Sequence, residues 1–389
     1  MSAKVHLALQ RYLLLLFCFE VFMPVNIIGM IGAAPPPARA VHVIGGGVDP
    51  SFLVKNARAH EQAGYDEVLV GYTSASPDNW GLTAWAAAHT EKLRFLVAHR
   101  PGRIVPALMA RKVATLDQLS AGRISLHIII GASDGDMAAE GDFSDKPARY
   151  HRGAEFLNIM RSIWTADGPV DFEGDFYRVR GAQSNVSPFQ KPYPPIYFGG
   201  SSNGALEMGA QHCDVFAMFG EPLKETGERV LSYRKRCAAH GRTARFNISF
   251  RPIIGETEEQ AWDKAHQYLS EFSAASQDPH FVTNKAKKDV PISKSSQRIV
   301  QLANKGNVYD ERLWMPLAAA TGGIGNTTCL VGTAEQVTRA LMKYYALGVT
   351  SFLLRGFELE QDLEIYSRGL FPLLRAAALE HDKTKGLAA

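Results

Sequence analysis

The sequence predicts an α/β fold of the TIM type, a (β/α)8 barrel in which eight parallel strands alternate with helices. Two observations support this fold. Eight short β-type segments recur along the chain with helical sequence between them, and several are almost continuously apolar, as strands covered on both faces must be. An open doubly wound sheet is the alternative, but no GxGxxG turn follows the first strand.

The predicted strands are spread over nearly the whole chain. They are residues 26–31, 67–72, 94–100, 124–130, 195–200, 214–220, 246–254 and 351–357. Amphipathic helical sequences lie between them, for example at residues 49–64, 104–122 and 334–348. All three end on glycine, which is a common signal for the C-terminus of a helix.

Two long segments interrupt the alternation. Residues 131–148 form a polar loop after the fourth strand, and residues 274–328 form an insertion before the last βα unit. Both follow the C-terminal ends of strands, which is where barrels of this type place their functional sites. We expect residues 274–328 to act as a lid, with a disordered loop as the alternative.

The two ends of the chain are expected to lie outside the barrel. The apolar run at residues 11–19 follows two basic residues, which is similar to the core of a signal peptide and too short to span a bilayer. We therefore assign residues 1–22 to an N-terminal extension, residues 23–375 to the barrel and residues 376–389 to a C-terminal tail.

The composition argues against several classes of function. The formal net charge of +3 comes from 42 basic and 39 acidic residues, and their scattered positions argue against a nucleic-acid partner. The four cysteines show no CxxC spacing, so neither a zinc site nor a disulfide framework is expected. We expect a cytoplasmic protein without a metal or a membrane partner, with export as the alternative that the apolar N-terminal run suggests.

The stretch "YPPIYFGGSS" at residues 193–202 carries the main functional signal. Gly199 and Gly200 end an apolar strand, and Ser201 and Ser202 precede a helical segment. Glycines let backbone N–H groups approach a ligand closely, and the positive end of a helix dipole favours an anion. The stretch therefore predicts a phosphate cradle after the fifth strand, although a tight turn with an N-cap serine would explain it equally well.

Several motifs together resemble those of the bacterial luciferase-like flavin monooxygenases, and most closely their alkanesulfonate monooxygenase branch. The motifs are "ARKVATLDQLSAGR" (110–123), "ARY" (148–150), "KPYPPIYFGGSS" (191–202), "NTTCLVGTAEQV" (326–337) and "YYALGVTSFLLRGF" (344–357). The resemblance runs in unbroken order from residue 23 to residue 374. The "DQLSAGR" and "YFGGSS" motifs are specific to the superfamily as a pair, and neither is sufficient alone.

The resemblance implies a homo-oligomeric barrel that binds reduced FMN supplied by a separate NAD(P)H:flavin reductase. In such enzymes O2 adds at the flavin C4a position, and the peroxyflavin oxidises a small organosulfur substrate. In the sulfonate branch, an alkanesulfonate is converted to sulfite and an aldehyde. This chemistry requires a site shielded from water, which a closing lid would provide.

The resemblance also implies the residues that bind the cofactor. The FMN phosphate is expected to lie against Tyr150, the backbone of Gly199 and Gly200, and the hydroxyls of Ser201 and Ser202. His127, within the apolar fourth strand, is expected to face the barrel interior at the depth of the flavin. A helix-packing tyrosine at residue 150 and an ordinary core histidine at residue 127 are the structural alternatives.

Three residues are the predicted catalytic groups. Ser76 stands where the sulfonate enzymes carry a cysteine near the flavin, and its hydroxyl is expected to donate a hydrogen bond there. Arg251 replaces an Arg-x-His pair on the seventh strand and offers a fork of donors to a sulfonate. His99 lies at the C-terminal end of the third strand, and with Arg100 and Arg355 it is a further source of polar contacts.

Departures from the family pattern leave alternatives open. Phe357 and Leu359 replace a tyrosine and a histidine after the eighth strand, and Thr321 replaces an arginine of the lid. A neutral sulfone is therefore an alternative substrate. A deazaflavin-dependent dehydrogenase, a non-catalytic flavin-binding homologue and a sugar-phosphate lyase or isomerase are alternative functions. The last would need a lysine or carboxylate base at a strand C-terminus, and we find no lysine at the end of any predicted strand.

Overall fold

The structure confirms the predicted barrel. It is a computed structural model that describes residues 24–35, 46–131, 133–275, 293–323 and 325–386. Eight parallel strands close into a ring, flanked by helices. No helix in these described parts of the chain combines the length and apolar character that crossing a bilayer requires.

The barrel strands follow one another around the ring in chain order. They are β1 (Asn26–Ile31), β2 (Glu67–Val70), β3 (Arg94–His99), β4 (Ile124–Ile128), β7 (Ile196–Phe198), β8 (Val215–Phe219), β9 (Arg245–Ile254) and β13 (Ser351–Leu354), and β13 pairs with β1 to close the ring. The remaining strands are β5 (Val170–Glu173), β6 (Arg178–Ala182), β10 (Val308–Tyr309), β11 (Leu313–Trp314) and β12 (Cys329–Gly332).

The helices of the described residues lie mostly between successive strands. They are α1 (Pro50–Ala63), α2 (Asn79–Ala88), α3 (Pro106–Leu119), α4 (Asp134–Ala138), α5 (Lys146–Thr165), α6 (Asn203–His212), α7 (Leu223–Ala239), α8 (Glu258–Ala275), α9 (Lys294–Ala303), α10 (Pro316–Ala320), α11 (Ala334–Ala346), α12 (Leu359–Ile365) and α13 (Phe371–Thr384). A π-helical turn at Tyr366–Leu370 joins the last two.

Local sequence signals explain where the predicted helices begin and end. Asp49 caps α1 by accepting a hydrogen bond from the Phe52 amide at 2.9 Å, and Gly64 ends the helix in the left-handed region at φ 90°. Thr333 and Gln336 form a reciprocal capping box at the start of α11. These signals act over three or four residues, so the sequence displays them directly.

The barrel interior is built in layers. A polar network closes the N-terminal end, where the Asn26 amide donates to Glu67 and Ser351, each at 3.2 Å. Above it lies an apolar layer made of Ile28, Leu69, Leu96, Tyr197, Val215 and Leu353. Because the N-terminal end is filled, the opposite end, where the strands run out, is the end available for a site.

The seventh barrel strand, β9, belongs to two sheets. Residues 245–250 pair with β8 and β13 inside the barrel, whereas Arg251 and the residues up to Ile254 pair in parallel with β12. Antiparallel β10 and β11 extend this second sheet. The insertion after β9 is thereby fixed to the barrel mouth by backbone pairing.

Part of the insertion packs into a second apolar cluster beside the main core. Tyr268 from α8 and Trp314 from β11 pack with Ile253, Val331 and Phe357 in this second core. The described parts of the predicted lid are therefore folded against the barrel, while residues 276–292 and 324 lie outside the described residues.

The predicted chain boundaries meet the structure in different ways. The N-terminal extension at residues 1–22 lies outside the described residues. The last helix, α13, runs across the predicted boundary at residue 375, and Ala378 and Asp382 within it are buried. Tyr345 donates a 2.7 Å hydrogen bond to Asp382, so residues 376–384 pack against the barrel rather than forming a separate tail.

Candidate functional site

Hydroxyl groups from two helices meet at the C-terminal end of β7. Ser202 is the N-cap of α6, and its Oγ accepts a hydrogen bond from the Ala205 amide at 3.3 Å. The Tyr150 hydroxyl, from the first turn of α5, lies 3.0 Å from the same Ser202 oxygen. The structure therefore brings Tyr150 and Ser202 together, as the sequence predicts.

The glycines of this segment are required by the packing of the protein itself. A Cβ on Gly199 would lie 2.6 Å from the carbonyl oxygen of Ala217, and one on Gly200 would lie 2.5 Å from the Cβ of Ala205. Both separations are shorter than side chains tolerate. The sequence-based expectation was that these glycines make room for a ligand, whereas the structure shows close contacts with β8 and α6.

The insertion reaches the same place. The Ser201 hydroxyl lies 2.9 Å from the hydroxyl of Ser295 in the first turn of α9. We refer to Tyr150, Ser201, Ser202 and the backbone of Gly199 and Gly200 as the hydroxyl cradle. Ser295 could not be found from the sequence, because its partner is 94 residues away and no local pattern connects the two segments.

His127 faces the barrel interior, as predicted. It is the cross-strand partner of Ala98 and Tyr197, and the ring of Tyr197 belongs to the interior layer. Burial lowers the pKa of His127 to about 4, so its imidazole is neutral at physiological pH. Its Nδ1 is enclosed and has no hydrogen-bond partner among the described residues, which leaves one ring nitrogen for a bound group.

Ser76 lies in the loop after β2, and its hydroxyl is engaged locally. Its Oγ donates to the Thr73 carbonyl at 3.0 Å and accepts from the Thr73 amide at 3.1 Å. This is the turn chemistry expected of a serine in such a loop. The neighbouring Ser74 donates through its amide and hydroxyl to Asp136, at 3.0 and 2.5 Å, which ties this loop to α4.

Arginine–carboxylate pairs order the polar loop after β4. Arg100 pairs with Asp136 and Glu140, and its guanidinium lies 5.0 Å from the centre of the Tyr72 ring. The other pairs join Arg103 to Glu140 and Asp142, Arg149 to Asp134, and Arg152 to Asp142. Burial raises the pKa of the Asp142 carboxyl, but the hydrogen bonds from Arg152 and Ser144 outweigh it and hold this pKa well below its usual value. Networks of this kind explain why a loop so rich in aspartate and glycine is held at the barrel mouth.

Two arginines occupy the opposite side of the mouth. Arg251, only 1% exposed, donates to the carbonyls of Asn326 at 3.3 Å and Gly356 at 2.9 Å. Arg355 donates to the Gly325 carbonyl and lies 3.2 Å from the Met30 sulfur. Burial, with the charge of Arg251 as a smaller cause, lowers the pKa of Arg355 well below its usual value.

His99 is not at the mouth, which corrects the catalytic assignment. It pairs across the sheet with Ile128, on the outer face of the strands. Its ring stacks on Phe156 at 5.3 Å between centroids and lies 6.2 Å from that of Trp80. Because side chains alternate along a strand, the last residue of β3 points toward the helices, where direct contact with a substrate is excluded by packing.

Replacing His99 with Phe is expected to reduce the acid sensitivity of the fold. Burial, aided by Lys112, lowers the pKa of His99 to about 3, so the folded state resists its protonation while the unfolded state accepts a proton below about pH 6.5. Stability should thus be complete above pH 6.5 and fall on acidification by about 1.4 kcal/mol per pH unit for this group.

Urea unfolding between pH 7.5 and 5 measures this dependence. His60 is equally buried and has a pKa lowered to about 4. The pH dependence of stability that His60 contributes should therefore remain in the His99→Phe variant, and only the part that His99 contributes should disappear. An unchanged slope in that variant would contradict the assignment of His99 to the core.

One group of residues has the composition of a metal site. His151, Glu155 and Asp175 bring ligand atoms within 4.8 Å of one another. The Glu155 carboxylate, however, accepts three backbone hydrogen bonds of 2.8 to 3.1 Å from residues 175–177. This carboxylate is therefore explained as a clamp between α5 and the β5–β6 hairpin.

The residues of the cradle fit a flavin mononucleotide. Hydroxyls at the start of a helix suit a phosphate, and the enclosed Nδ1 of the neutral His127 suits a polar edge of a ring in the barrel interior. The hydroxyls would face the phosphate and His127 the ring, and the cradle follows β7, the strand that pairs with the β4 strand of His127.

Comparison with known proteins identifies the family. The profile of the family described as luciferase-like monooxygenase matches residues 20–351. A riboflavin lyase crystallised with modified FMN and riboflavin is similar in structure, with a TM-score of 0.70 and 19% identity over 94% of this chain and 92% of the lyase. EDTA monooxygenase from Chelativorans sp. BNC1 gives 0.69 and 18% over 91% and 94%.

A third similar structure has a different type of cofactor in its description. An F420-dependent secondary alcohol dehydrogenase in complex with an F420–acetone adduct gives a TM-score of 0.64 and 16% identity, over 90% of this chain and 99% of the dehydrogenase. At these identities the structural likenesses show the barrel fold alone. The family match extends over most of the sequence, and the chain therefore belongs to the luciferase-like monooxygenase family.

Proposed function

We propose that this protein is a reduced-FMN- and O2-dependent monooxygenase of a small organosulfur anion such as an alkanesulfonate, releasing sulfite and an aldehyde. The observation that carries the proposal is the hydroxyl cradle, in which Tyr150 and Ser202 lie 3.0 Å apart at the end of β7. The chain belongs to a monooxygenase family, and this supports a phosphate-binding role for the cradle. Reduced flavin, when bound, supplies the electrons that activate O2.

The chain's own residues have distinct tasks in this proposal. The hydroxyls of Tyr150, Ser201 and Ser202 donate hydrogen bonds to the phosphate, and charge-assisted bonds of this kind are about twice as strong as neutral ones. His127 stays neutral and orients the ring through its free Nδ1. The folded insertion, which pairs with β12 through β11 and packs into the second apolar cluster through Trp314, excludes water from the mouth.

The two arginines of the mouth suit an anionic substrate. A small cavity of about 50 Å³ is lined by Arg251, Arg355, Met30 and Phe357 and extends behind β1 and β13. The Asp362 carboxylate also lines it, and its charge is already engaged by two backbone amides and Lys264. Roughly one or two water molecules would fill such a volume, so it fits a charged head group rather than a whole substrate. A guanidinium presents paired donors that match sulfonate oxygens, which favours an anion over a neutral sulfone.

The partners follow from the same proposal. Reduced FMN would come from an NAD(P)H:flavin reductase, and the protein would work as a cytoplasmic homo-oligomer. The experiment that tests the function supplies reduced FMN from a flavin reductase and offers alkanesulfonates, sulfinates and sulfones. Substrate-dependent oxygen uptake with sulfite release is the expected result, measured with an oxygen electrode and a thiol reagent for sulfite.

The deazaflavin alternative is supported by the likeness to the F420-dependent dehydrogenase. The same panel separates the two functions when secondary alcohols and oxidised deazaflavin are added. Alcohol-dependent reduction of the deazaflavin without oxygen uptake would replace the monooxygenase proposal. Flavin binding without turnover of any compound would favour the non-catalytic homologue.

A further inference from the structure

A buried carboxylate joins the insertion to the barrel beside the hydroxyl cradle. Glu221 follows β8 and is 1% exposed. Its carboxylate accepts hydrogen bonds from Arg229 of α7 at 2.6 Å and from Arg298 of α9 at 2.8 Å. Its own main chain is fixed, because its carbonyl accepts a 2.8 Å hydrogen bond from the Tyr344 hydroxyl. One buried acid thus holds two arginines from different parts of the chain.

Both arginines lead back to the cradle. Arg229 donates to the carbonyl of Gly200 at 3.3 Å. Arg298 lies one helical turn after Ser295, whose hydroxyl is 2.9 Å from that of Ser201. The contacts therefore form a closed circuit through Gly200, Arg229, Glu221, Arg298 and the first turn of α9, ending on the residue next to Gly200.

We propose that Glu221 and Arg298 are positioning residues that hold the insertion helix α9 in register with the cradle, so that Ser295 completes the phosphate site. This inference rests on the proposed function, since it adds a residue from the insertion to the same site. Ser201 and Ser295 then share the phosphate as two hydroxyl donors. The phosphate in turn favours the docked position of α9, so that cofactor and insertion stabilise each other.

The charges of Arg229, Arg298 and Glu221 together favour an anion at the cradle. Two guanidiniums and one carboxylate leave a net positive charge next to the cradle, and this charge favours a phosphate. A Glu221 carboxylate that lost Arg298 would keep its 2.6 Å hydrogen bond from Arg229, and Arg298 is the more exposed of the two arginines, at 37% against 15%. Removing Arg298 should therefore release α9 without unfolding the barrel.

The test compares the binding of FMN and riboflavin, which differ by the phosphate. Arg298→Ala is expected to weaken FMN binding about 10-fold while riboflavin affinity changes less than twofold, since the lost energy of about 1.4 kcal/mol belongs to the phosphate alone. Flavin fluorescence quenching measures both dissociation constants on the full chain. Ser295→Ala should give the same loss, and the double variant should lose no more than either single variant.

Matched variants make the result specific. Arg236 pairs with Glu207 on the neighbouring α6 and α7 surface at 3.3 Å and is 33% exposed, so Arg236→Ala controls for the loss of a similarly exposed arginine. Arg298→Lys should restore part of the FMN preference. Glu221→Gln should lower that preference and also speed amide exchange in α9.

The outcomes separate the inference from the function on which it rests. If the unmodified protein prefers FMN and Arg298→Ala keeps the full preference, Glu221 and Arg298 are not positioning residues for the phosphate. If the unmodified protein binds FMN and riboflavin equally, the cradle does not bind phosphate, and both the site assignment and the inference fail.

Discussion

Replacing Tyr150 with Phe and Ser201 with Ala in one chain is expected to weaken FMN binding by at least about 100-fold, because each lost hydrogen bond to a charged phosphate costs about 1.5 to 3 kcal/mol. Ser202 is left in place because it also caps α6 through the Ala205 amide. Neither removed hydroxyl closes a helix end, so the fold should persist. Riboflavin affinity should change less than threefold, since the ring keeps its contacts.

The control for this prediction comes from the chain itself. Tyr177 has a buried hydroxyl with no partner among the described residues, so Tyr177→Phe removes the same atom without touching the cradle. Dissociation constants for FMN and riboflavin, measured with far-UV circular dichroism as a check on folding, decide the result. An unchanged FMN affinity in the double variant would remove the basis of the monooxygenase proposal.

The barrel and the turn after β7 could be predicted because both are encoded locally. Strands covered on both faces read as continuous apolar runs, and the eight barrel strands of the structure lie within or beside the predicted segments. The "GGSS" motif joins a strand end to a helix start within four residues. The hydroxyl of Tyr150 could be added through the family resemblance.

The sequence predicts least well which side chains of a strand point into the barrel and which point toward the helices. In a strand that is apolar on both faces, the sequence does not say which alternate residues point inward. His127 proved to be interior and His99 exterior, although the two lie at similar heights on adjacent strands. Only the cross-strand register shows which of the two histidines points inward, and register depends on contacts between distant segments.

Long-range contacts of the insertion were also beyond the sequence. The pattern of β9 continues without a break from residue 245 to residue 254, yet its partner changes at Arg251. Glu221 and Arg298 are 77 residues apart, and no local spacing links them.

Arg355→Met is expected to lower kcat/KM for an alkanesulfonate about 100-fold, because a guanidinium that forms two charge-assisted hydrogen bonds contributes about 3 kcal/mol to anion binding. Arg355 is the better candidate for this contact than Arg251. Its Nε has no partner among the described residues, and its pKa is lowered by burial and by the neighbouring charge of Arg251. A bound anion would stabilise the charged form of Arg355 against both effects.

Arg251→Met is the comparison variant for Arg355→Met. Its guanidinium bonds to the carbonyls of Asn326 and Gly356 and lies 4.5 Å from the centre of the Phe357 ring. Arg251→Met should therefore lower the free energy of unfolding and reduce turnover of sulfonates and neutral sulfones alike. Arg355→Met should instead spare the sulfone to within about threefold, because only the anionic contact is lost.

Kinetics on a sulfonate and a sulfone of equal chain length, with Arg355→Lys as the variant that keeps the charge, measure this selectivity. The lysine variant should retain sulfonate turnover better than the methionine variant, because a point charge still attracts the anion without offering the fork. Equal losses on both substrates in Arg355→Met would show that Arg355 only supports the Gly325 segment. In that case another group in the mouth binds the charge of the substrate, or the substrate is uncharged.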